Sequence, residues 1–282
     1  MDEKFYKINN KFNKRIAVIA DIHYSSIFKI KTFDKIIESI KKNKPHFICI
    51  PGDIIDDSLV LKDKNIVKLI NFFKALTTIA PVIISVGNHD FTYEAKKKIV
   101  YSGIINLKKI LSKIDNLYFL DNDIIKLENI NFIGLTNSFN YYYGKNHESD
   151  KIFIDELNLT FYNKILKQDY NVLLCHTPLN IMKPNVIEKC DLIGRLDLII
   201  SGHTHNGMIP KYVDKIKGNK GLIGPFKTLF PNYSRGKIEK IINNRKVTLI
   251  INGGITKISK VQPKIIHFVN NLYQINIDYI DI

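Results

Sequence analysis

The sequence predicts an α/β protein, with two β-sheets packed between helices in one domain. Three observations carry that expectation. Short β-branched apolar runs recur along the chain, and amphipathic helices alternate with the first of them. The runs end in loops rich in Asp, His, Asn and Gly.

Residues 1–14 are polar and read as an N-terminal extension. Arg15 to Ala20 (RIAVIA) is the first strand and runs into Asp21-Ile22-His23. A continuous apolar run of this length fits a buried strand. Thr32 to Lys42 places Phe33, Ile36, Ile37 and Ile40 at helical spacing. His46 to Ile50 (HFICI) is the next strand and ends at Pro51-Gly52-Asp53. Leu61 to Ile79 repeats the helical pattern with Ile66, Leu69, Ile70, Phe73 and Leu76. Pro81 to Val86 (PVIISV) is a third strand, ending at Gly87-Asn88-His89-Asp90. Strand alternating with helix is a βαβ series and predicts parallel neighbours. A helix is expected over Ile104 to Ile114. Leu117 to Leu135 reads as strands with turns at Asp121-Asn122-Asp123 and Glu128-Asn129.

Ser138 to Asp150, with Tyr141-Tyr142-Tyr143-Gly144, reads as an irregular surface loop. Asn171 to Cys175 (NVLLC) runs into His176, and Leu196 to Ser201 (LDLIIS) into Gly202-His203-Thr204-His205. Gly207 to Arg235 reads as a long loop near the site. Lys246 to Ile251, Lys264 to Val269 and Leu272 to Ile280 are strand-like. No Pro/Ser linker or repeat divides residues 1–282, so one domain is expected.

Of the 282 residues, 45% are hydrophobic and 24% charged, which excludes disordered, collagen-like and coiled-coil classes. The net charge of +15 rests on lysine: only Arg15, Arg195, Arg235 and Arg245 among the 42 basic residues are arginine. A nucleic-acid groove often uses arginine forks, so no specific nucleic-acid partner is expected. The charge favours anionic substrates by long-range attraction. Cys49, Cys175 and Cys190 form no C-x-x-C pair, which suits a reducing compartment. Met1 to Arg15 lacks a signal-peptide core, and no apolar run approaches the roughly 18 residues of a membrane span. A cytoplasmic protein is expected. Oligomeric state is not legible.

Each of five strand ends carries residues able to bind metal, and in α/β sheets ligands collect at the carboxyl ends of strands. Of eight histidines, five (His23, His89, His176, His203, His205) fall in these motifs. Carboxylate, imidazole and amide oxygen together suit Mn, Fe, Co or Zn better than a sulfur-rich structural site. Taken singly, Gly52-Asp53 and Gly87-Asn88 read as turn residues, and His176 as a satisfied core histidine. Their joint occurrence decides against those readings.

The motifs D-x-H at 21–23, G-D-x-x-D at 52–56, G-N-H-D at 87–90, His176 and G-H-T-H at 202–205 resemble the calcineurin-like metallophosphoesterase superfamily. Ser201 to Gly207, Tyr233 to Gly236 and Asn252 to Ile255 resemble its bacterial branch of YaeI- and YkuE-like phosphodiesterases. The chain departs from that branch at Asn206, where glycine is usual, and at Asn252-Gly253-Gly254, where Gly-Leu-Gly is usual.

The resemblance implies a four-layer αββα sandwich of two mixed sheets, with two divalent metal ions at the carboxyl ends of the strands. It implies that Asp21, His23 and His205 hold one metal, that Asn88, His176 and His203 hold the other, and that Asp53 bridges. A bridging hydroxide would attack phosphorus in line with the leaving group, and His89 would serve that leaving group. Asp56 and Asp90 would orient ligands from behind. The expected substrate is a small-molecule or lipid-linked phosphoester, with a phosphodiesterase the leading reading. The alternatives are a nuclease of the same superfamily and a non-catalytic binding module.

Other features carry less. The tyrosine run is equally a substrate wall or a half-buried loop. The apolar segment Leu222 to Phe230 could touch the inner membrane face or line the cleft, but packing against the body ranks first. Arg235 could meet a substrate phosphate or make a structural salt bridge. Asp57 reads as a helix cap.

Overall fold

The computed structural model describes residues 1–8, 11–25, 30–56, 61, 66–94, 98–100, 102–143, 148–210, 218–224, 229–256 and 271–282. The first half runs β1 (Asp2–Lys7), β2 (Arg15–Val18), α1 (Ile30–Asn43), β3 (Phe47–Pro51), α2 (Ile66–Thr77), β4 (Val82–Ser85), β5 (Thr92–Glu94), β6 (Lys98–Val100), α3 (Ser102–Leu111) and β7 (Leu117–Phe119). The second runs β8 (Asp123–Leu127), β9 (Ile130–Leu135), α4 (Phe139–Tyr143), α5 (Ser149–Phe161), β10 (Tyr170–Cys175), α6 (Pro184–Lys189), β11 (Leu198–Ser201), β12 (Gly236–Ile242), β13 (Arg245–Ile251) and β14 (Asn276–Asp281).

One sheet has the order β1-β14-β2-β3-β4-β7 and the other β12-β13-β11-β10-β9-β8. In the first, β2, β3, β4 and β7 are parallel neighbours, while β14 joins β2 antiparallel. In the second, β9, β10, β11 and β13 are parallel, with β8 and β12 antiparallel at the edges. Both sheets are therefore mixed. β5 and β6 form a separate small hairpin.

Strand alternation sorts the core into layers. Ile16, Val18, Phe47, Cys49 and Ile83 of the first sheet pack with Phe132, Tyr170, Val172, Leu174, Leu198 and Ile200 of the second. Phe47 and Phe132 meet across this seam at 5.0 Å between ring centroids. The alternate residues Ala17, Ile48, Ile50, Val82 and Ile84 lie with Phe33, Ile36 and Ile40 of α1 and Leu69, Phe72, Phe73 and Leu76 of α2. On the far side Ile133, Leu173, Cys175 and Ile199 lie with Phe153, Leu157 and Phe161 of α5. The result is helices, sheet, sheet, helices, the predicted four layers. Each large apolar side chain removed from water here contributes about 1.5–3 kcal/mol.

Several sequence expectations need correction. The N-terminal extension contains β1, which pairs parallel with β14. Its polarity follows from its edge position, where no residue is fully buried. The region 138–150 is not irregular throughout: α4 forms there, with Tyr141 and Tyr142 buried and Tyr143 46% exposed. The expected strand Lys264–Val269, Asp57, Gly144 and much of the 207–235 loop lie outside the described residues. In the described part of that loop Ile223, Leu229 and Phe230 are exposed and Leu222 is half-buried. Among the described residues no helix is long and apolar enough to cross a membrane.

Candidate metal centre

Parallel strands bring five loops to one end of the molecule. Asp21 follows β2, Asp53 follows β3, Asn88 follows β4, His176 follows β10, and His203 and His205 follow β11. Asp21, His23, Asp53, His203 and His205 all have positive φ, from 44° to 69°. Non-glycine residues rarely take this conformation; here it turns each chain sharply as it leaves a strand.

Glycines let these loops close on one another. Gly52 has φ +85°, and a Cβ there would lie 2.5 Å from the Gly87 nitrogen. Asp21 fits between Gly202 and Gly254, where added Cβ atoms would lie 2.6 Å from its Oδ2 and 2.8 Å from its Cβ. The His203 N–H donates to Asp21 Oδ1 and Oδ2 at 3.0 and 3.2 Å. The segment after β13 fastens the Asp21 loop: Ile255 and Thr256 N–H donate to the Ala20 and Asp21 carbonyls at 2.9 and 3.0 Å. The Thr256 hydroxyl donates to the Ile22 carbonyl. Sequence reading attaches no role to Asn252-Gly253-Gly254 beyond resemblance, and the contacts supply one.

Among the described residues three groups offer ligand atoms within 4.8 Å of one another: Asp21, His23 and His205; Asp53, His176 and His203; and His23, Asp56 and His89. Asp53 joins the first two groups. Its Oδ2 lies 3.5 Å from His23 Nε2 and 3.0 Å from His176 Nε2, and its Oδ1 accepts the His89 N–H at 2.8 Å. His176 Nδ1 lies 2.7 Å from the Pro51 carbonyl, which can only accept, so Nδ1 carries a proton. Asn88 lies in the short turn Asn88–Asp90 and donates through Nδ2 to the Tyr143 hydroxyl at 3.4 Å.

Asp56 Oδ1 stands 3.7 Å from His23 Nδ1 and 3.5 Å from His89 Nδ1, between the two rings. That is where a carboxylate orienting a ligand histidine belongs. Asp90 differs from the sequence expectation. Its carboxylate holds backbone, accepting N–H bonds from Gly87, Asp53, Ile54 and Ile55 at 2.8–3.2 Å. It clamps the β3 and β4 loops together, and no sequence signal separates that role from an imidazole partner. Arg235 is buried, and its Nε donates to the Gly218 carbonyl.

Residues 14–207 match the model of the family described as Calcineurin-like phosphoesterase. The chain belongs to that family. An uncharacterized metallophosphoesterase of Helicobacter pylori is 27% identical over 199 residues, covering 69% of this chain and 45% of that protein. Another, from Campylobacter jejuni, is 25% identical over 221 residues, covering 76% and 50%. The chain thus spans about half the length of these curated relatives. A solved dimetal phosphatase from Danio rerio is 12% identical, with a TM-score of 0.43 over 86% of this chain and 88% of that one.

The site fits metal by its own chemistry. His23 Nδ1 and Nε2 and Asn88 Oδ1 are buried without a hydrogen-bond partner among the described residues. Each such buried polar atom costs about 1–3 kcal/mol unless something binds it. Electrostatics agree. Burial raises Asp53, but the charges of His176, His89 and His23 outweigh it and hold the carboxyl well below its ordinary range. Burial, then His89, pulls His23 down to about 3. Burial and His176 hold His203 well below the ordinary imidazole range. Such a site disfavours added protons on two imidazoles and keeps a carboxylate ionised, leaving lone pairs for cations. Two surface cavities, of about 610 and 500 Å³, open at the opposite, amino end of the strands beside Lys42 and Lys44 and beside Lys167 and Arg245. Neither is lined by a candidate ligand.

Proposed function

We propose that the protein is a metal-dependent phosphodiesterase acting through a two-metal centre. Asp21, His23 and His205 would hold one divalent cation and Asn88, His176 and His203 the other, with Asp53 between them. The observation that carries this reading is Asp53 Oδ2, which stands within 3.5 Å of an imidazole nitrogen from each group. The donors suit Mn, Fe, Co or Zn. Two such cations, when bound, lower the pKa of water and offset charge on phosphate oxygens.

The chain's own residues do the rest. Asp53 supplies fixed negative charge, and the Asp90 clamp keeps the Asp53 and Asn88 loops in register. His89 is left for the leaving group. Its side chain is 31% exposed, and Asp56 engages its Nδ1 through Oδ1 and the backbone carbonyl. Burial lowers its pKa, but Asp53 by charge and Asp56 by charge and hydrogen bond raise it to about 9. At neutral pH an imidazolium there can give its Nε2 proton to a departing alkoxide.

The exposed side chains Ile223, Leu229 and Phe230 support a lipid-linked substrate and contact with a membrane surface. They hang beside the centre, because Leu222 and Ile223 N–H both donate to the carbonyl of Gly207, two residues beyond His205. Phe230→Asp should abolish co-flotation with anionic liposomes; unchanged flotation would remove the membrane part of the reading. A nuclease is less well supported, because only four of the 42 basic residues are arginine and the chain has no tryptophan to stack bases.

The enzymatic reading is tested with bis(p-nitrophenyl) phosphate. Protein loaded with Mn²⁺ should hydrolyse it, and chelation should abolish turnover. Metal-loaded protein inert on both mono- and diesters would overturn the reading.

A further inference from the structure

Helix α4 touches three of the side chains proposed for one metal position. Tyr143 accepts the Asn88 Nδ2–H at 3.4 Å. The Tyr142 ring packs 6.4 Å from the His176 ring and 5.9 Å from the His203 ring. Those two imidazoles are themselves in contact, with His203 Nδ1 and His176 Nε2 3.2 Å apart. The other position is fastened by a different part of the chain, since the Asp21 loop is bonded to Ile255 and Thr256 and to His203 N–H.

The Asn88 amide explains why the Tyr143 contact matters. An amide has two ends of opposite character: Nδ2 only donates and Oδ1 only accepts. A cation takes the oxygen. With Nδ2 committed to a phenol oxygen, Oδ1 is the end left over, and it is the buried atom without a hydrogen-bond partner among the described residues. A rotated amide would aim two N–H donors at a cation. Tyr143 reaches across 55 residues of sequence to do this. It stacks on Phe139 of the same short helix at 4.4 Å, which restrains the phenol.

We propose that α4 sets the affinity of the Asn88–His176–His203 position alone, with Tyr143 the positioning residue that fixes the Asn88 amide. This rests on the two-metal reading above. Loss of a partner behind a metal ligand typically costs about 10–100-fold in affinity. Tyr143→Phe keeps the half-exposed ring and removes only the hydroxyl, so the fold is retained.

The test is titration of the metal-free full chain with Co²⁺, followed by absorption and calorimetry, for wild type, Tyr143→Phe and Tyr142→Phe. Wild type should bind two ions. Tyr143→Phe should bind one with unchanged affinity and the other about tenfold or more weakly. Tyr142→Phe, which keeps its ring against the histidines, should match wild type. Two unchanged sites in Tyr143→Phe, equal weakening of both, or an equal loss in Tyr142→Phe would each overturn the inference. Wild type binding fewer than two ions would instead bring down the two-metal reading, and the inference with it. In steady-state kinetics at limiting Co²⁺, Tyr143→Phe should recover wild-type kcat as metal is raised. A loss of kcat that saturating metal does not restore would count against a positioning role.

Discussion

As a proposed metal ligand, His176 would have to give up a proton. Its Nδ1–H is committed to the Pro51 carbonyl, so Nε2 is the atom that meets Asp53 at 3.0 Å. Burial lowers the His176 pKa, but Asp53, by charge and by hydrogen bond, raises it from 6.5 to about 9. A ligand imidazole must be neutral at the coordinating nitrogen. Metal loading near neutral pH should therefore release a proton, and affinity should climb as pH rises towards 9. The sign reverses for the metal-free protein: because the folded pKa is raised, this stabilisation is complete below 6.5 and is lost as pH rises through about 9. Calorimetric metal titrations in buffers of different ionisation enthalpy measure the release, and none at neutral pH would mean that His176 is already neutral. His89 gives a second prediction at this scale. His89→Ala should lower turnover by about 10²–10⁴-fold, the usual range for a general acid, with metal content by elemental analysis unchanged. Loss of metal would instead move His89 among the ligands.

At the scale of elements, strand-to-loop transitions do the positioning. Gly52 is the tightest, because its neighbour is the Gly87 backbone, which has no flexible side chain to move aside. Gly52→Ala should destabilise the metal-free protein by about 2 kcal/mol or more, combining left-handed strain with overlap. Urea unfolding would register this, and an unchanged midpoint would mean that the two loops part freely. The parallel strands and α1, α2 and α3 are legible in the sequence because their burial leaves a periodic apolar signal. β1 is not, since an edge strand buries too little to need apolar residues. Sequence reading assigns no element to 149–161, although Phe153, Leu157 and Phe161 recur at four-residue steps and are buried in α5. α4 is too short for periodicity to show, and its tyrosines have partners distant in sequence.

For the whole molecule, the centre joins loops from both sheets: β2, β3 and β4 supply one side and β10 and β11 the other. No such arrangement survives in the unfolded chain, so cations that bind it stabilise the fold by mass action. At a hundredfold excess over Kd this amounts to about 2.7 kcal/mol per site. Mn²⁺ should raise the melting temperature, and a chelator should reverse the rise. A melting temperature indifferent to Mn²⁺, Co²⁺ and Zn²⁺ alike would contradict a centre built from both sheets.

By itself the sequence determined the layered α/β class, the strands that end in polar motifs, and which carboxylate, amide and imidazole side chains stand at those strand ends. Those properties are local: apolar periodicity and residue type at a strand end are written within a few positions. Tertiary structure alone decided how the donors meet. It placed Asp53 between two groups, turned Asp90 from a supposed imidazole partner into a backbone clamp, seated Asp21 between Gly202 and Gly254, and brought Tyr143 to Asn88. Each depends on atoms far apart in the chain and a few ångströms apart in space, and only the packing of the two sheets sets those separations.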